Sequence, residues 1–131
     1  MEEKQQELMY KLSMFEQQMR QMQQQLQMIE QAIMDMQIID SGLDDIIGGK
    51  DKEILAQIGK GIFVKTKLLS EELTVDIGER NFVKKSVPET KEMIKEQIKK
   101  LEDVKKELEN NQQQMAKEFE MVMASGEGVE K

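Results

Sequence analysis

The chain has 131 residues, a net charge of −7, and no cysteine, histidine or tryptophan. Charged residues make up 34% of it and aromatic residues only 4%, a composition typical of exposed or coiled helices rather than of a compact globule. The absence of cysteine excludes a disulfide scaffold, and no segment is basic enough to favour nucleic acid or an anionic membrane surface as a partner. The length predicts one domain.

The first 47 residues are predicted to form a coiled-coil helix. Residues recur there at alternating spacings of four and three over more than four heptads, all apolar except Asp40, and Gly48-Gly49 should end the helix. The twelve positions, which we call the first seam, are Leu8, Leu12, Phe15, Met19, Met22, Leu26, Ile29, Ile33, Met36, Asp40, Leu43 and Ile47.

The N-terminal segment MEEKQQELM is acidic and rich in glutamine, which is unlike a secretory signal peptide. No apolar run approaches the roughly 18–20 residues that a membrane span requires. We therefore expect a cytoplasmic protein that does not enter a membrane.

Residues 48–86 change to short segments rich in β-branched residues, with turn-forming residues between them. Four strands are predicted, at residues 54–58, 62–69, 73–77 and 82–86, and consecutive strands should pair as two hairpins. Four open strands leave bare edges, whereas a small closed barrel takes about eight strands, the number that two copies of the chain would supply. We infer an oligomerisation hub, and the strand residues assigned to it are Ile54, Ile58, Ile62, Val64, Leu68, Leu73, Val75, Ile77 and Phe82.

The C-terminal third repeats the heptad spacing from residue 87 to residue 124. Ser86-Val-Pro-Glu89 has the form of a capping box with proline in the first turn, so a helix should begin at residue 87. Ser125-Gly126 should end it, which leaves residues 125–131 as a disordered tail. The second seam is Val87, Lys91, Ile94, Ile98, Leu101, Lys105, Leu108, Gln112, Met115, Phe119 and Val122.

Two seams of nearly equal length predict that the chain folds back at its centre into an antiparallel helix pair. Facing residues should have numbers that sum to about 130, so that Phe15 faces Met115 and Leu12 faces Phe119. Asp40 would fall opposite Lys91, and a polar pair within a seam can fix the register at some cost in stability. In the alternative, both of these side chains bend out to solvent.

Residues that usually carry catalysis or bind metals are sparse. Without histidine or cysteine, the common metal and nucleophile constellations are absent from the sequence. Gly59-Lys60-Gly61 lacks the Lys-Ser or Lys-Thr ending of a phosphate loop and is better explained as a strand turn. Asp44-Asp45 is better explained as solvated charge at a helix end than as an acid/base or calcium pair. We predict a protein that is not an enzyme and needs no cofactor or metal.

Methionine is frequent, with 12 residues, and several methionines lie off the seams. Isolated exposed apolar residues are ordinary on protein surfaces. However, flexible and polarizable thioethers also form the adaptable apolar surfaces of promiscuous binders. Spacing alone is consistent with both explanations. The methionines concerned are Met9, Met14, Met28, Met34, Met121 and Met123.

The order of helix, two hairpins and helix resembles the α class of the prefoldin family, and the hairpins carry most of the resemblance. ILAQIGKGIFVKTKLL is similar to the first hairpin of the class, and LTVDIGERNFVKKSVPETKEMI to the second hairpin and the start of the last helix. Ile58-Gly59 and Ile77-Gly78 fall where the family places its hairpin glycines. In two departures, Gln57 stands where the family often has proline, and Glu79-Arg80-Asn81 stand where it usually has small residues.

The resemblance implies an α+β fold, a long antiparallel two-helix coiled coil whose two central β-hairpins assemble into an oligomeric β-barrel. It also implies an ATP-independent chaperone, a hexamer of two α and four β subunits, which captures unfolded client proteins at its coiled-coil tips and delivers them to a group II chaperonin. The alternatives are a self-assembling prefoldin-like filament and a coiled-coil scaffold with one defined partner. The tips correspond to residues 1–22 and 108–124, and the client-binding candidates are Leu8, Met9, Leu12, Phe15, Met19, Met115, Phe119, Val122 and Met123.

Overall fold

A computed structural model of the chain describes residues 2–130, with side chains for residues 2–124. The predicted α+β fold class is confirmed, since two long helices flank two antiparallel β-hairpins in chain order. Within the described residues, no helix is both long and apolar enough to cross a membrane. The elements are α1 (Glu2–Asp44), β1 (Glu53–Gly59), β2 (Ile62–Lys67), β3 (Leu73–Asp76), β4 (Phe82–Lys85) and α2 (Val87–Glu130).

The chain divides into two compact units, each of which contains a segment of α1 and a segment of α2. The terminal unit comprises Met1–Ile33 and Lys100–Lys131, and its described residues are helical. The central unit is Met34–Lys99, which holds the end of α1, both hairpins and the start of α2. Both predicted seams run through both units.

The burial of the helical side chains confirms the central parts of the two seams, whereas Leu12, Ile47 and Val122 near the seam ends are exposed. First-seam positions from 15 to 43 and second-seam positions from 87 to 119 are all buried or half-buried. Because a helix pair buries one stripe of each helix, most other helical positions are exposed. The most shielded seam residues are Leu26, Ile33, Leu43, Val87 and Ile94.

Helix α1 ends at Asp44, three residues before the predicted boundary at residue 47. The chain continues as a tight turn, in which the Asp45 N–H donates to the Gly42 carbonyl at 3.2 Å, an i to i−3 bond. Gly48 then takes a φ of 71°, in the left-handed region that glycine tolerates. The seam residue Ile47 therefore lies in a turn and is exposed.

Helix α2 begins at the predicted capping box. The Ser86 hydroxyl accepts the Glu89 N–H at 3.2 Å and donates to the Glu89 carboxylate at 2.9 Å. At the other end, α2 continues to Glu130, so residues 125–130 are helical where the sequence predicts a disordered tail. An established helix adds one hydrogen bond per residue, which offsets the cost of about 1 kcal/mol for a helical glycine. Residue 131 of the predicted tail lies outside the described residues.

The hairpins form two separate two-stranded sheets, β1 with β2 and β3 with β4. All four strands lie within two residues of their predicted bounds. The register places Ile54 opposite Thr66 in the first hairpin and Val75 opposite Val83 in the second. Because each strand has a single neighbour within the described part of the chain, each hairpin leaves two strand edges open.

The two hairpin turns differ in their backbone conformation. The first is a two-residue turn, in which Gly61 takes a φ of 74°. In the second, Glu79 and Arg80 have φ values of 51° and 62°, and the Asn81 N–H donates to the Gly78 carbonyl at 2.9 Å. Two successive positive φ values are the pattern of a type I′ turn, for which Asn-Gly is the preferred sequence. The second turn therefore places two ordinary side chains in a conformation that they rarely adopt.

The central unit holds a small apolar core to which the helices and the second hairpin contribute. Each fully buried aliphatic side chain of this kind contributes roughly 1.5–3 kcal/mol to folding. The core is formed by buried Leu43, Val87 and Ile94, against which Met36, Ile46, Leu73 and Ile98 pack.

Candidate functional site

The hairpins expose most of their large apolar side chains. Ile58 is 70% exposed and Phe82 is 61% exposed, although both lie in strands. Exposed apolar side chains next to open strand edges are the features of a protein–protein contact surface. We call this set the hairpin surface, and its members are Ile54, Leu55, Ile58, Ile62, Phe63, Val64, Leu69, Ile77 and Phe82.

Six of the nine residues that the sequence assigns to assembly belong to the hairpin surface, and the other three are half-buried within the chain. Leu73 packs against the central core. Leu68 lies against Gly49, and its N–H donates to the Lys52 carbonyl at 2.9 Å. Val75, on the same face of its strand as Leu73, is also half-buried. Leu68 and Leu73 therefore attach the hairpins to their own unit.

Sequence reasoning missed three members of the hairpin surface, Leu55, Phe63 and Leu69. Strand alternation and the observed register place Leu55 and Phe63 on the face opposite Ile54 and Val64. Phe63 alternates with two lysines, so this face has the pattern of a solvated one. Leu69 falls inside the predicted strand but beyond the end of β2, and it is 78% exposed. The sequence signal that could have revealed Leu55 and Phe63 is the presence of large apolar residues on both faces of the first hairpin.

The helices of the terminal unit meet about one helical turn away from the predicted register. The residue numbers of the contacting pairs sum to 134 or 135 instead of about 130. The predicted pairs Phe15 with Met115 and Leu12 with Phe119 are therefore corrected. Heptad spacing could not show this, because a shift by one turn still places one apolar stripe against the other. The observed pairs are Phe15 with Phe119, Gln23 with Gln112, and Glu30 with Lys105.

Phe15 and Phe119 form an aromatic stack between the two helices. Their ring centroids are 4.1 Å apart, with 11° between the ring planes. Both residues are half-buried, and such a pair adds about 0.5–1.5 kcal/mol beyond the burial of its area. An open groove of about 380 Å³ lies beside the stack. Besides the two rings, its apolar lining comes from Tyr10, Met14, Met115 and Val122.

The predicted client-binding residues are incompletely shielded. Among the nine, Met9, Leu12 and Val122 are exposed. The buried residues of the terminal unit, Leu26 and Ile33, lie outside the predicted tip ranges. The helix pair therefore presents apolar side chains at its surface in residues 8–19 and 115–123. The half-buried members of the set are Leu8, Phe15, Met19, Met115, Phe119 and Met123.

The methionines off the seams are mostly exposed. Met9, Met28 and Met121 are 70%, 73% and 72% exposed, and Met14 and Met34 are also exposed. Met123, by contrast, is half-buried. Met28 belongs to a groove of about 430 Å³ whose other apolar lining residues are Ile29, Val104 and Leu108.

In the central unit, Lys91 pairs with Asp44 rather than with Asp40. The Lys91 ammonium donates a hydrogen bond to the Asp44 carboxylate. This bond raises the pKa of Lys91 above 10.5; burial opposes the rise, and the nearby charge of Asp40 adds to it. Asp40 Oδ1 is buried and has no hydrogen-bond partner among the described residues. The predicted pairing of Asp40 with Lys91 is therefore wrong, and the partner of Lys91 lies four residues further along α1. The alternative, in which both side chains bend out to solvent, is not observed either, because Asp40 and Lys91 are both half-buried.

Other polar side chains of the central unit are engaged in local structure. The Glu71 carboxylate accepts the Gly48 N–H at 2.6 Å, and Asp76 accepts the Gly78 N–H at 2.9 Å. No three acidic side chains gather closely enough to hold a metal ion in the part of the chain that the structure describes. What the geometry offers is two apolar surfaces, one on the hairpins and one on the terminal helix pair.

Comparison with known proteins identifies the family. The Prefoldin family model, for prefoldin subunits, matches residues 15–130. Prefoldin subunit alpha of Methanobrevibacter smithii is 32% identical over 111 residues, which cover 84% of this chain and 76% of that protein. A chain of the filamentous PFD from Methanocaldococcus jannaschii, determined by cryo-electron microscopy, has the same fold with a TM-score of 0.79 and 18% identity, over 87% of this chain and 96% of that one. The chain therefore belongs to the prefoldin family, and within it to the α class.

Proposed function

We propose that this chain is a subunit of a cytoplasmic, ATP-independent chaperone that holds unfolded proteins and delivers them to a group II chaperonin. The observation that carries the proposal is the exposure of apolar side chains on two different units of one small chain. One surface can join subunits while the other remains available for clients. Membership of a family of chaperone subunits supports the same conclusion.

The hairpin surface is the proposed assembly site. Each hairpin has unpaired backbone N–H and C=O groups along both edges, and a strand of a neighbouring subunit can satisfy them by β-augmentation. Burial of side chains such as Ile58 and Phe82 would add about 25 cal/mol per Å² of apolar area. We propose a barrel-shaped hub built from two copies of this chain and four β subunits.

The client site is proposed to be the exposed part of the terminal helix pair, near the Phe15–Phe119 stack. The exposed apolar area of one subunit is modest there, so a single contact with a client is weak. Several subunits held by one hub gain affinity through effective concentration, without any new kind of contact. Weak and multivalent binding suits a chaperone that releases its client without ATP.

A second candidate is a filament that this chain forms by itself. The specific observation in its favour is that a filamentous PFD from Methanocaldococcus jannaschii has the same fold over 87% of this chain. The same open strand edges would then join identical subunits. A filament could still hold clients, so the two candidates differ in assembly more than in the client site.

The first experiment is native mass spectrometry of the complex recovered with this chain from its own cells. Two copies of this chain with four copies of a smaller coiled-coil chain would support the proposed hexamer. A long homo-oligomer would support the filament instead. One stoichiometric partner outside the prefoldin family would contradict both and favour a dedicated scaffold.

The client site is tested by replacing Met9, Met19, Met115 and Met123 together by glutamine. The loss of four thioether contacts should cost at least about 1.4 kcal/mol of contact free energy, which is a tenfold weaker apparent affinity. The readout is suppression of aggregation of two unrelated denatured proteins. Helix content and native mass are measured on the same samples and must match those of the unmodified chain, because Met19 and Met115 are half-buried seam residues.

A control for this variant replaces Met34 by glutamine. Met34 is an exposed methionine of α1, but it lies outside the predicted tip ranges. The control should suppress aggregation as the unmodified chain does, with the same native mass. Equal suppression by the quadruple variant would refute the proposed client site.

A further inference from the structure

Three methionines of the terminal unit combine high exposure with a position off the seams. Met9, Met28 and Met121 are 70%, 73% and 72% exposed, whereas the first-seam residues Met22 and Met36 are half-buried. The chain has no cysteine, so methionine is its only sulfur-containing residue. Among the methionines that the structure describes, these three thioethers are therefore the ones that an oxidant in solution meets first.

We propose that Met9, Met28 and Met121 are oxidation sites through which hydrogen peroxide makes the terminal helix pair less apolar without unfolding it. In the reaction, a lone pair of the methionine sulfur attacks one peroxide oxygen. The S–O bond forms, the O–O bond breaks, and the second oxygen leaves as water after proton transfer. Methionine is oxidised by two electrons to the sulfoxide, and peroxide is reduced.

The position of each sulfur decides what its oxidation does to the fold. A sulfoxide is polar, and on an exposed helix face its oxygen stays hydrated. In a seam, the same group would be forced among apolar neighbours; Met36, for example, packs against the central core. Oxidation at the three exposed sites therefore leaves the helix contacts intact, whereas oxidation in the seams would disrupt them.

Met28 makes the consequence for the surface specific. Its thioether lines the groove formed with Ile29, Val104 and Leu108, so a sulfoxide there would place a strong dipole on an apolar lining. Oxidation of Met9 and Met121 would likewise place polar sulfoxides on the surface of the predicted tip ranges. For client holding, this inference rests on the proposed function, since a less apolar surface would hold unfolded proteins less well.

The sites are tested by exposing the folded full-length chain to hydrogen peroxide and mapping sulfoxides by peptide mass spectrometry over time. Met9, Met28 and Met121 should oxidise at least about twofold faster than Met22 and Met36, because peroxide must reach the sulfur. Helix content, followed by far-ultraviolet circular dichroism, should not change while the three sites react. Equal rates at all five sites, or loss of helix in step with their oxidation, would overturn the proposal.

The effect on the surface is tested with a chain in which Met9, Met28 and Met121 are replaced by leucine. Fluorescence of a bound apolar dye should fall after peroxide in the unmodified chain and fall much less in this variant, which keeps only the less exposed Met14 and Met34 among the exposed methionines that the structure describes. A control chain with Met22→Leu and Met36→Leu should lose dye fluorescence as the unmodified chain does. An equal loss in the triple leucine variant would overturn the inference.

The same samples separate this inference from the proposed function. Suppression of aggregation is measured before peroxide and again after it, and each chain is compared with itself. A chain that never suppresses aggregation would refute the proposed function, while the sulfoxide map and the dye would still decide the present inference. A chain that holds clients equally well before and after full oxidation of the three sites would refute the link to client holding.

Discussion

Truncation of the Phe15–Phe119 stack should weaken the terminal unit by a predictable amount. A fully buried phenylalanine costs about 3–5 kcal/mol when it is replaced by alanine, and these rings are half-buried, so each single variant should lose about 1.5–2.5 kcal/mol. The rings lie 4.1 Å apart and nearly parallel, a geometry worth about 0.5–1.5 kcal/mol in itself. The double variant should therefore lose less than the two single variants together, by that amount.

The assay is urea unfolding of Phe15→Ala, Phe119→Ala and the double variant, followed by helix content. The matched control is a second cycle with Phe15 and Met115, the pair that heptad counting alone would place face to face. Its coupling free energy should be smaller. A coupling near zero for Phe15 with Phe119, together with a larger value for Phe15 with Met115, would refute the register observed in the terminal unit.

Three further predictions concern the central unit. Ser86→Ala removes the capping hydroxyl and should lower the free energy of unfolding by about 1 kcal/mol in urea titrations; an unchanged midpoint would contradict the capping role. The double replacement Glu79→Asn with Arg80→Gly suits the positive φ values of the second turn and should raise the free energy of unfolding by about 1–2 kcal/mol. A lower melting temperature of this variant would count against a strained turn. The bond to Asp44 raises the pKa of Lys91 above its ordinary value of 10.5. The stabilising effect of this bond is therefore complete below pH 10.5 and is lost as pH rises through the raised pKa. The difference in melting temperature between the unmodified chain and Lys91→Met should therefore be constant from about pH 7 to 10 and vanish at higher pH; a difference that already falls near pH 8 would contradict this assignment.

The sequence predicts the elements of this fold well because their signals are local. The heptads of α1, the capping box at Ser86 and the four short strands each depend on spacing within a few residues. The end of α1 was less predictable, since the turn from Asp45 to Gly48 retains an apolar residue at the next seam position. The helical residues 125–130 were also missed, because glycine is a frequent helix terminator but not an obligatory one.

The pairing of the helices could not be predicted in the same way. Two seams fit each other in several registers one turn apart, and only particular contacts distinguish them. Here the aromatic stack at Phe15 and the ion pair between Asp44 and Lys91 both follow the shifted register. Which strand residues remain exposed also depends on tertiary packing. Leu73 and Ile77 both belong to the predicted third strand, yet Leu73 packs on the central core, whereas Ile77 lies beyond the end of β3 and is exposed.

In the first seam, every buried side chain is leucine or isoleucine, and every methionine is half-buried. Met19 and Met22 are half-buried, whereas Leu26 and Ile33 are buried in the same helix pair. Branched aliphatic side chains have few rotamers and fix one packing, while methionine adapts to several. Separation of the helices at the methionines therefore forfeits fewer fixed contacts than separation at Leu26 or Ile33. For the proposed chaperone, the same side chains could pack against the partner helix without a client and against a client when one is bound, so that neither state is strongly favoured and release requires no ATP.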